Sequence, residues 1–408
     1  MPPPKRFHTI LVGVASDYSY GRGLLLGVIR YARSLGNWRL VPLPVGPAMI
    51  SHIRRHRPDG ILAQIGGIDT LTAIARTRIP TINLSSRTEP QPIPRMIVDP
   101  VALARMAVAH FVGRGFQHFA FAGPESHGYS RHRRDAFAAE LARRGLPWIP
   151  EGPGDLWGRA GANRAARWLR KLPKPVAVLA SNDDTASHII RGGIDAGFAV
   201  PDEVAVLGVD NDEIICELST VPISSVDVDA VRIGMEAARR LDAALRGEPV
   251  PAEPIPIEPH GVVARASTAT LVFRNKLVGD AMQFLHEHEG EPVSVKEVLT
   301  HLGVSRRTLE RHFQAVLGHS PRDEIEQRRL LIAERLLRET DLTAKEISRR
   351  SGFGDPRLLI HAFHRRHHRT PMQFRALFEI APPAIHAPTL PRRPSGTPLR
   401  RSKRRAAE

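Results

Sequence analysis

Arg307, Glu310 and Arg311 fall three and four residues apart, while Leu309, Phe313 and Val316 recur on the opposite face of the same helical stretch. Two guanidinium groups and a carboxylate on one exposed face suit hydrogen bonding to base edges in a DNA major groove. Ser305 stands before this helix as a cap that accepts from its free amides, and Arg306 and Thr308 share its first turn. Upstream, Val295, Val298 and Leu299 line the inner face of a shorter helix. Gly303 ends that helix in a left-handed turn, which Val304 plugs. The pattern predicts a helix-turn-helix with Ser305, Arg306, Arg307, Thr308, Glu310 and Arg311 toward DNA.

The same pattern returns about 50 residues later. Ile347 lies in the supporting helix, Gly352 at the turn, Asp355 at the cap, Pro356 at the first helical position and Phe363 inside. Arg357, Ile360 and His361 take the outward face, and the histidines 361, 364, 367 and 368 read as a basic surface toward DNA. Residues 322–339 form an amphipathic connector whose Ile325, Leu330, Leu331, Ala333, Leu336 and Leu337 are predicted to pack on both units. Two recognition helices held roughly 34 Å apart enter successive major grooves from one side of the duplex. These residues, with Arg328-Arg329-Leu330 in the connector, resemble the AraC-type DNA-binding domain. The chain departs from that family at Leu358-Leu359-Ile360, where a more polar helix opening is usual, and at His367-His368.

Charge agrees with a polyanionic partner. The 408 residues carry a net charge of +16. From residue 273 onward there are 26 Lys and Arg against 16 Asp and Glu, which leaves +6 for the first 272 residues. The lone cysteine, Cys216, reads as a small buried apolar residue and suits a reducing cytoplasm. No run of about 18 apolar residues occurs, so no membrane span or signal peptide is expected. Residues 381–408, rich in Pro and Arg, read as a disordered basic tail. The DNA-binding domain is placed at 275–380.

Residues 8–270 read differently. Apolar runs at 9–15, 60–65, 80–84, 118–122, 176–180 and 204–209 alternate with helical patterns at 21–35, 101–113, 130–144 and 185–196. That alternation predicts a doubly wound α/β fold, which binds ligands at the carboxyl ends of its strands. The residues that follow those runs are short and polar: Ser16-Asp17, Ser85-Ser86, Asp99, Ser181-Asn182-Asp183 and Asp210-Asn211-Asp212. Such a mixture of hydroxyl, amide and carboxylate groups matches sugar hydroxyls, with Tyr18, Tyr129 or Trp157 to cover the apolar face of a ring. Each such residue is equally readable as a loop cap.

Tyr20-Gly21-Arg22-Gly23-Leu24-Leu25, Arg133 before Ala136-Phe137, Ser181-Asn182-Asp183 and Leu207-Gly208-Val209-Asp210-Asn211 resemble the LacI-type, periplasmic-binding-protein-like effector domain, two α/β lobes hinged by crossing segments. The resemblance implies sugar contacts at Arg133, Asn182 and Asp210; Asp17 and Asp183 complete the expected ligand set. The order of the two parts resembles the bacterial xylose-operon regulators and implies a transcription regulator, an activator by family habit, with xylose as the first effector to test. The expected partners are double-stranded operator DNA, a monosaccharide, a second copy of the chain and RNA polymerase. No cofactor, metal or catalytic role is expected.

Sharper readings fail on context. Gly21-Arg22-Gly23 with Gly27 suggests dinucleotide binding, but no acidic residue follows the next apolar run. The clustered histidines lack a carboxylate or cysteine to complete a metal set. Asp183 with Asp184, or Asp210 with Asp212, could be hydrolytic pairs in a carbohydrate- or nucleotide-processing enzyme tethered to DNA. Hydrolysis would leave the DNA-binding half unexplained.

Overall fold

A computed structural model describes residues 7–46, 48–88, 91–158, 160–251, 253–273 and 275–376. The tail expected at 381–408 lies outside the described residues. The first lobe opens with β1 (His8–Gly13), α1 (Ser19–Leu35), β2 (Trp38–Pro42), α2 (Met49–His56), β3 (Gly60–Ala63), α3 (Ile68–Thr77), β4 (Thr81–Asn83) and β5 (Met96–Val98). The chain then crosses to a second lobe with α4 (Pro100–Val112), β6 (Phe119–Ala122), α5 (Gly128–Arg143), β7 (Trp148–Ile149) and α6 (Gly161–Leu169). That lobe continues through β8 (Val176–Ala180), α7 (Asp183–Asp195), β9 (Val204–Val209), α8 (Glu213–Leu218) and β10 (Ser224–Asp227). After β10 the chain returns to the first lobe for α9 (Ala230–Leu245) and β11 (Ile255–Ile257), then crosses a third time into β12 (Gly261–Val263).

In the first lobe the sheet order is β2-β1-β3-β4, all parallel, and a bridge from Asn83 to Arg95 extends it toward the β5–β11 pair. The second sheet runs β12-β10-β9-β8-β6-β7, parallel except where β12 meets β10. Its strands β6, β8 and β9 read as unbroken apolar runs because both faces are covered. Ala177, Leu179, Ala205 and Leu207 join the core under α4 and α5, whereas Val176, Val178, Val204 and Val206 join the one under α6 and α7. In the first lobe α1 and α9 approach so closely that a Cβ on Gly27 would lie 2.1 Å from the Val231 oxygen, and one on Gly234 would lie 2.1 Å from that of Leu24. Gly27 therefore serves helix packing.

The helical part comprises α10 (Lys276–Glu287), α11 (Val295–Leu302), α12 (Arg306–Leu317), α13 (Pro321–Glu339), α14 (Ala344–Arg350), α15 (Pro356–His367) and α16 (Pro371–Arg375). Capping boxes open equivalent helices of the two halves: Ser294 with Glu297 and Thr343 with Glu346, then Ser320 with Asp323 and Thr370 with Gln373. Ile325 of α13 joins the core around Phe313, while Leu330, Ala333 and Leu337 join the one around Phe363. Leu331 corrects the expected connector stripe, being 56% exposed. Ile332 is buried in its place, seven residues on from Ile325 and four before Leu336.

Candidate effector cleft and DNA-reading helices

The second lobe presents the carboxyl ends of β8 and β9 beside the start of α5. Asp210 and Asn211 leave β9 with φ of 102° and 52°, a conformation that L-residues adopt only when their surroundings enforce it. The Asp210 amide donates to the Val226 oxygen at 3.0 Å, and the Asn211 amide donates to the Ser225 hydroxyl at 3.0 Å. Arg265 donates to the Asn211 side chain at 3.0 Å, and the Asp212 amide to Asp183 Oδ2 at 2.7 Å. The loop is thus held from four sides, which fixes where the Asp210 carboxylate points.

That carboxylate faces Arg133 of α5, whose Nη2 lies 3.4 Å from Asp210 Oδ1. Nη1 of Arg133 donates to the Ser181 oxygen, and its guanidinium lies 5.2 Å from the center of the Tyr129 ring. Burial pushes the Asp210 carboxyl up to about 6, with Arg133 pulling the other way. Asn182 caps α7 by accepting from the Thr185 amide at 3.0 Å, so its Oδ1 is engaged by the protein. Asp183 lies deeper, only 2% exposed. Its oxygens accept from the Asp212 amide and from the Ser225 hydroxyl at 2.6 Å, and burial pushes its carboxyl up to about 8.

The first lobe contributes the turn after β1. Arg22 folds back from α1 and donates to the Ser16 and Asp17 oxygens at 3.1 and 3.0 Å, leaving the Asp17 side chain exposed. The two lobes touch where the Ser19 amide donates to Asp212 Oδ2 at 2.7 Å, and where the Gly128 amide donates to the Arg87 oxygen at 2.9 Å. Ser19 Oγ is buried there with no partner.

Asp17, Arg133, Asn182 and Asp210 therefore lie along the facing edges of the lobes, and Asp183 lies beneath. Asp99 caps α4, accepting from Val101 and Ala102 amides at 2.8 and 3.1 Å. Arg87 escaped the sequence reading, and Asp184 entered it only as half of a hydrolytic pair with Asp183. The charges of both act on the Tyr129 hydroxyl, and that of Asp184 raises Tyr18 after burial has done so. Arg87 follows the apolar run 80–84, where only the hydroxyls of Ser85 and Ser86 drew notice. The assembled groups are donors (Arg87, Arg133, Asn182), acceptors (Asp17, Asp184, Asp210) and aromatic rings (Tyr18, Tyr129), a set able to match a polyhydroxylated ring.

In the helical part, Gly303 closes α11 at φ 64°, and Ser305 caps α12 by accepting from the Thr308 amide at 3.2 Å. Leu309 and Phe313 are fully buried, Arg307 and Arg311 are exposed, and Glu310 accepts from Arg306 at 2.8 Å. In the second copy Asp355 caps α15 by accepting from the Arg357 amide at 2.8 Å, and Arg357, Ile360 and His361 are exposed. His367 departs from the expected basic surface. It turns inward, with Nε2 2.7 Å from Glu334 of α13 and its ring 4.5 Å from that of Phe363. The buried Glu334, which Arg338 approaches only to 3.6 Å, accounts for that orientation.

Among the described residues the halves meet in two places. The Val272 amide donates to the Arg114 oxygen at 2.8 Å, and Val112, Leu271 and Phe273 pack against the core of the first helix-turn-helix. Arg338 of α13 donates to the oxygen of His260, on the segment crossing between β11 and β12, at 3.1 Å. The His260 ring lies 6.3 Å from that of Phe374 in α16, and its amide donates to the Asp227 oxygen at 2.7 Å, at the end of β10. A lobe-crossing segment thus rests directly on the second unit.

Residues 108–268 match the periplasmic binding protein-like domain family, and residues 298–377 match the helix-turn-helix domain family. The xylose operon regulatory protein of Haemophilus influenzae is 30% identical over 328 residues, 78% of this chain and 84% of that protein. Its Escherichia coli K12 counterpart is 29% identical over 385 residues, 90% of this chain and 97% of the relative. The solved structure of the xylose-binding transcription activator xylR is similar at a TM-score of 0.58 and 26% identity, over 91% of this chain and 98% of that one.

Proposed function

Because the chain belongs to the family of the xylose operon regulatory proteins, a family of DNA-binding transcription regulators, we propose that it activates a sugar-catabolic operon in response to xylose bound between its lobes. One observation carries the reading: a single chain joins a polar cleft to paired recognition helices, and the segment that crosses between the lobes touches the connector of those helices through His260 and Arg338. Arg133, Asp210, Asp17 and Asn182 are proposed to hold the sugar, with Arg87 and Asp184 beside them, while Asp183 supports the Asp210–Asp212 loop from below. Ser305, Arg306, Arg307, Thr308, Glu310 and Arg311 would read one major groove and Arg357, Ile360 and His361 the next. Sugar that favours one lobe arrangement changes operator affinity only if the two arrangements hold the helices differently.

No catalytic role is proposed, because Asp183 and Asp212 are engaged by backbone amides across the loop and the lobe junction. A homodimer is proposed on the apolar side chains that α8 exposes, Ile214 and Leu218, and RNA polymerase as the partner that activation requires. Among the described residues no helix is long and apolar enough to cross a membrane; the cytoplasm is the proposed location, where the DNA is. The deciding measurement is thermal unfolding of the full chain with pentoses and hexoses. A true effector adds about 2.7 kcal/mol at a hundredfold excess over its dissociation constant. Absence of any shift with xylose, or an equal shift in Arg133→Ala and Asp210→Ala, overturns the sugar assignment.

A further inference from the structure

The two recognition helices are aligned by a step of 50 residues, which sets Arg306, Thr308 and Glu310 of α12 against Pro356, Leu358 and Ile360 of α15. In α12 these positions satisfy one another: the Thr308 hydroxyl is 2.9 Å from that of Ser305, and Glu310 pairs with Arg306. In α15 the arginine has become proline and the carboxylate isoleucine, so that pairing is gone. Leu358 is 55% exposed and Ile360 39% exposed, beside the exposed Arg357, His361 and His364. Large aliphatic groups left in water on a cationic helix face call for an apolar feature carried by a polyanion. The major-groove edge of DNA offers one, the C5-methyl group of thymine.

We propose that α15 reads its half-site through thymine methyl groups seated against Leu358 and Ile360, which flank Arg357 and His361 in the same groove. α12 instead reads hydrogen-bonding groups with Arg307 and Arg311. This rests on the regulator reading above and gives the second helix a specificity that its lack of polar side chains at these positions would otherwise deny it.

The test uses the full chain with xylose and a duplex selected from a random-sequence pool. An iron chelate attached to a His364→Cys variant, in which the native Cys216 is buried, marks by cleavage the half-site facing α15. Uracil is then substituted for each thymine there, which removes only the methyl. The expected loss is about fourfold per contacted methyl, the value of one buried carbon group. That loss should shrink toward onefold in Leu358→Ala and Ile360→Ala, while uracil effects in the α12 half-site stay as in the wild type. Uracil without effect beside α15, or with the same effect in the variants, overturns the proposal and leaves the regulator reading intact. Variants that lose self-association or polymerase contact while keeping their thymine preference overturn it too, by assigning the face to a protein. Failure to select any sequence overturns the regulator reading itself.

Discussion

Asp183 illustrates what a single residue in this chain has to do. Its position after an apolar run made it look like a ligand group, yet it supports the loop that carries Asp210, and the partners that decide this, Ser225 and the Asp212 amide, lie 42 and 29 residues away. Such pairings come from strand order, which local spacing does not encode. Burial, followed by the neighbouring Asp210, raises its carboxyl to about 8, well above an unfolded aspartate near 3.9. The folded state therefore holds a proton that the unfolded chain releases between those values. Its contribution is full below about pH 4 and is lost as pH rises through 8. Asp183→Asn keeps an acceptor for the Asp212 amide and cannot ionise. Unfolding of this variant at pH 6 and pH 9 should show a smaller loss of stability with rising pH than the wild type. Asp183→Ala, which strands the amide and the Ser225 hydroxyl, should cost about 1–3 kcal/mol at either pH. An equally steep pH dependence in Asp183→Asn would assign the proton to another group.

At the level of elements, the sequence carried most of what is seen. The strands β8 and β9 match their apolar runs to the residue, because a strand buried on both faces has no polar interruption to blur its ends. Several elements went unread: α2, α3, α6, α8 and the two-residue β7 lack a long periodic run, while the 16-residue α9 and the strands β10, β11 and β12 were not named either. Within α13 the repeat was legible but its phase was not, since Leu330, Leu331 and Ile332 are consecutive apolar residues and only packing selects which of them turn inward. Urea titration separates them. Leu331→Gln should change stability by no more than about 0.5 kcal/mol, whereas Ile332→Ala should cost about 2–5 kcal/mol. Comparable losses at both positions would restore the original phase.

On the scale of the whole molecule, the question is how a cleft communicates with helices that read DNA. The first unit rests on the end of α4 through Arg114, Val112 and Phe273, and the second on the crossing segment through His260. A hinge movement would therefore act unequally on the two units. Arg338→Ala removes the side-chain donor to the crossing segment while leaving the cleft intact. Xylose should still raise the melting temperature of this variant. Its effect on operator affinity, for which typical allosteric couplings give about 5- to 150-fold, should fall toward onefold in anisotropy titrations. Retained coupling would route the signal through Arg114 instead. The order of the two domains was legible from the sequence; these junctions were not, because Val272 and His260 read locally as ordinary loop residues. The unequal helices α12 and α15 have one more consequence. On the proposed reading, each chain meets a site whose two halves differ, written head to tail along one strand, and so gives its bound DNA a left and a right. Inverting such a site would turn the attached effector domain toward the opposite flank, and a promoter served from one orientation would fall silent in the other.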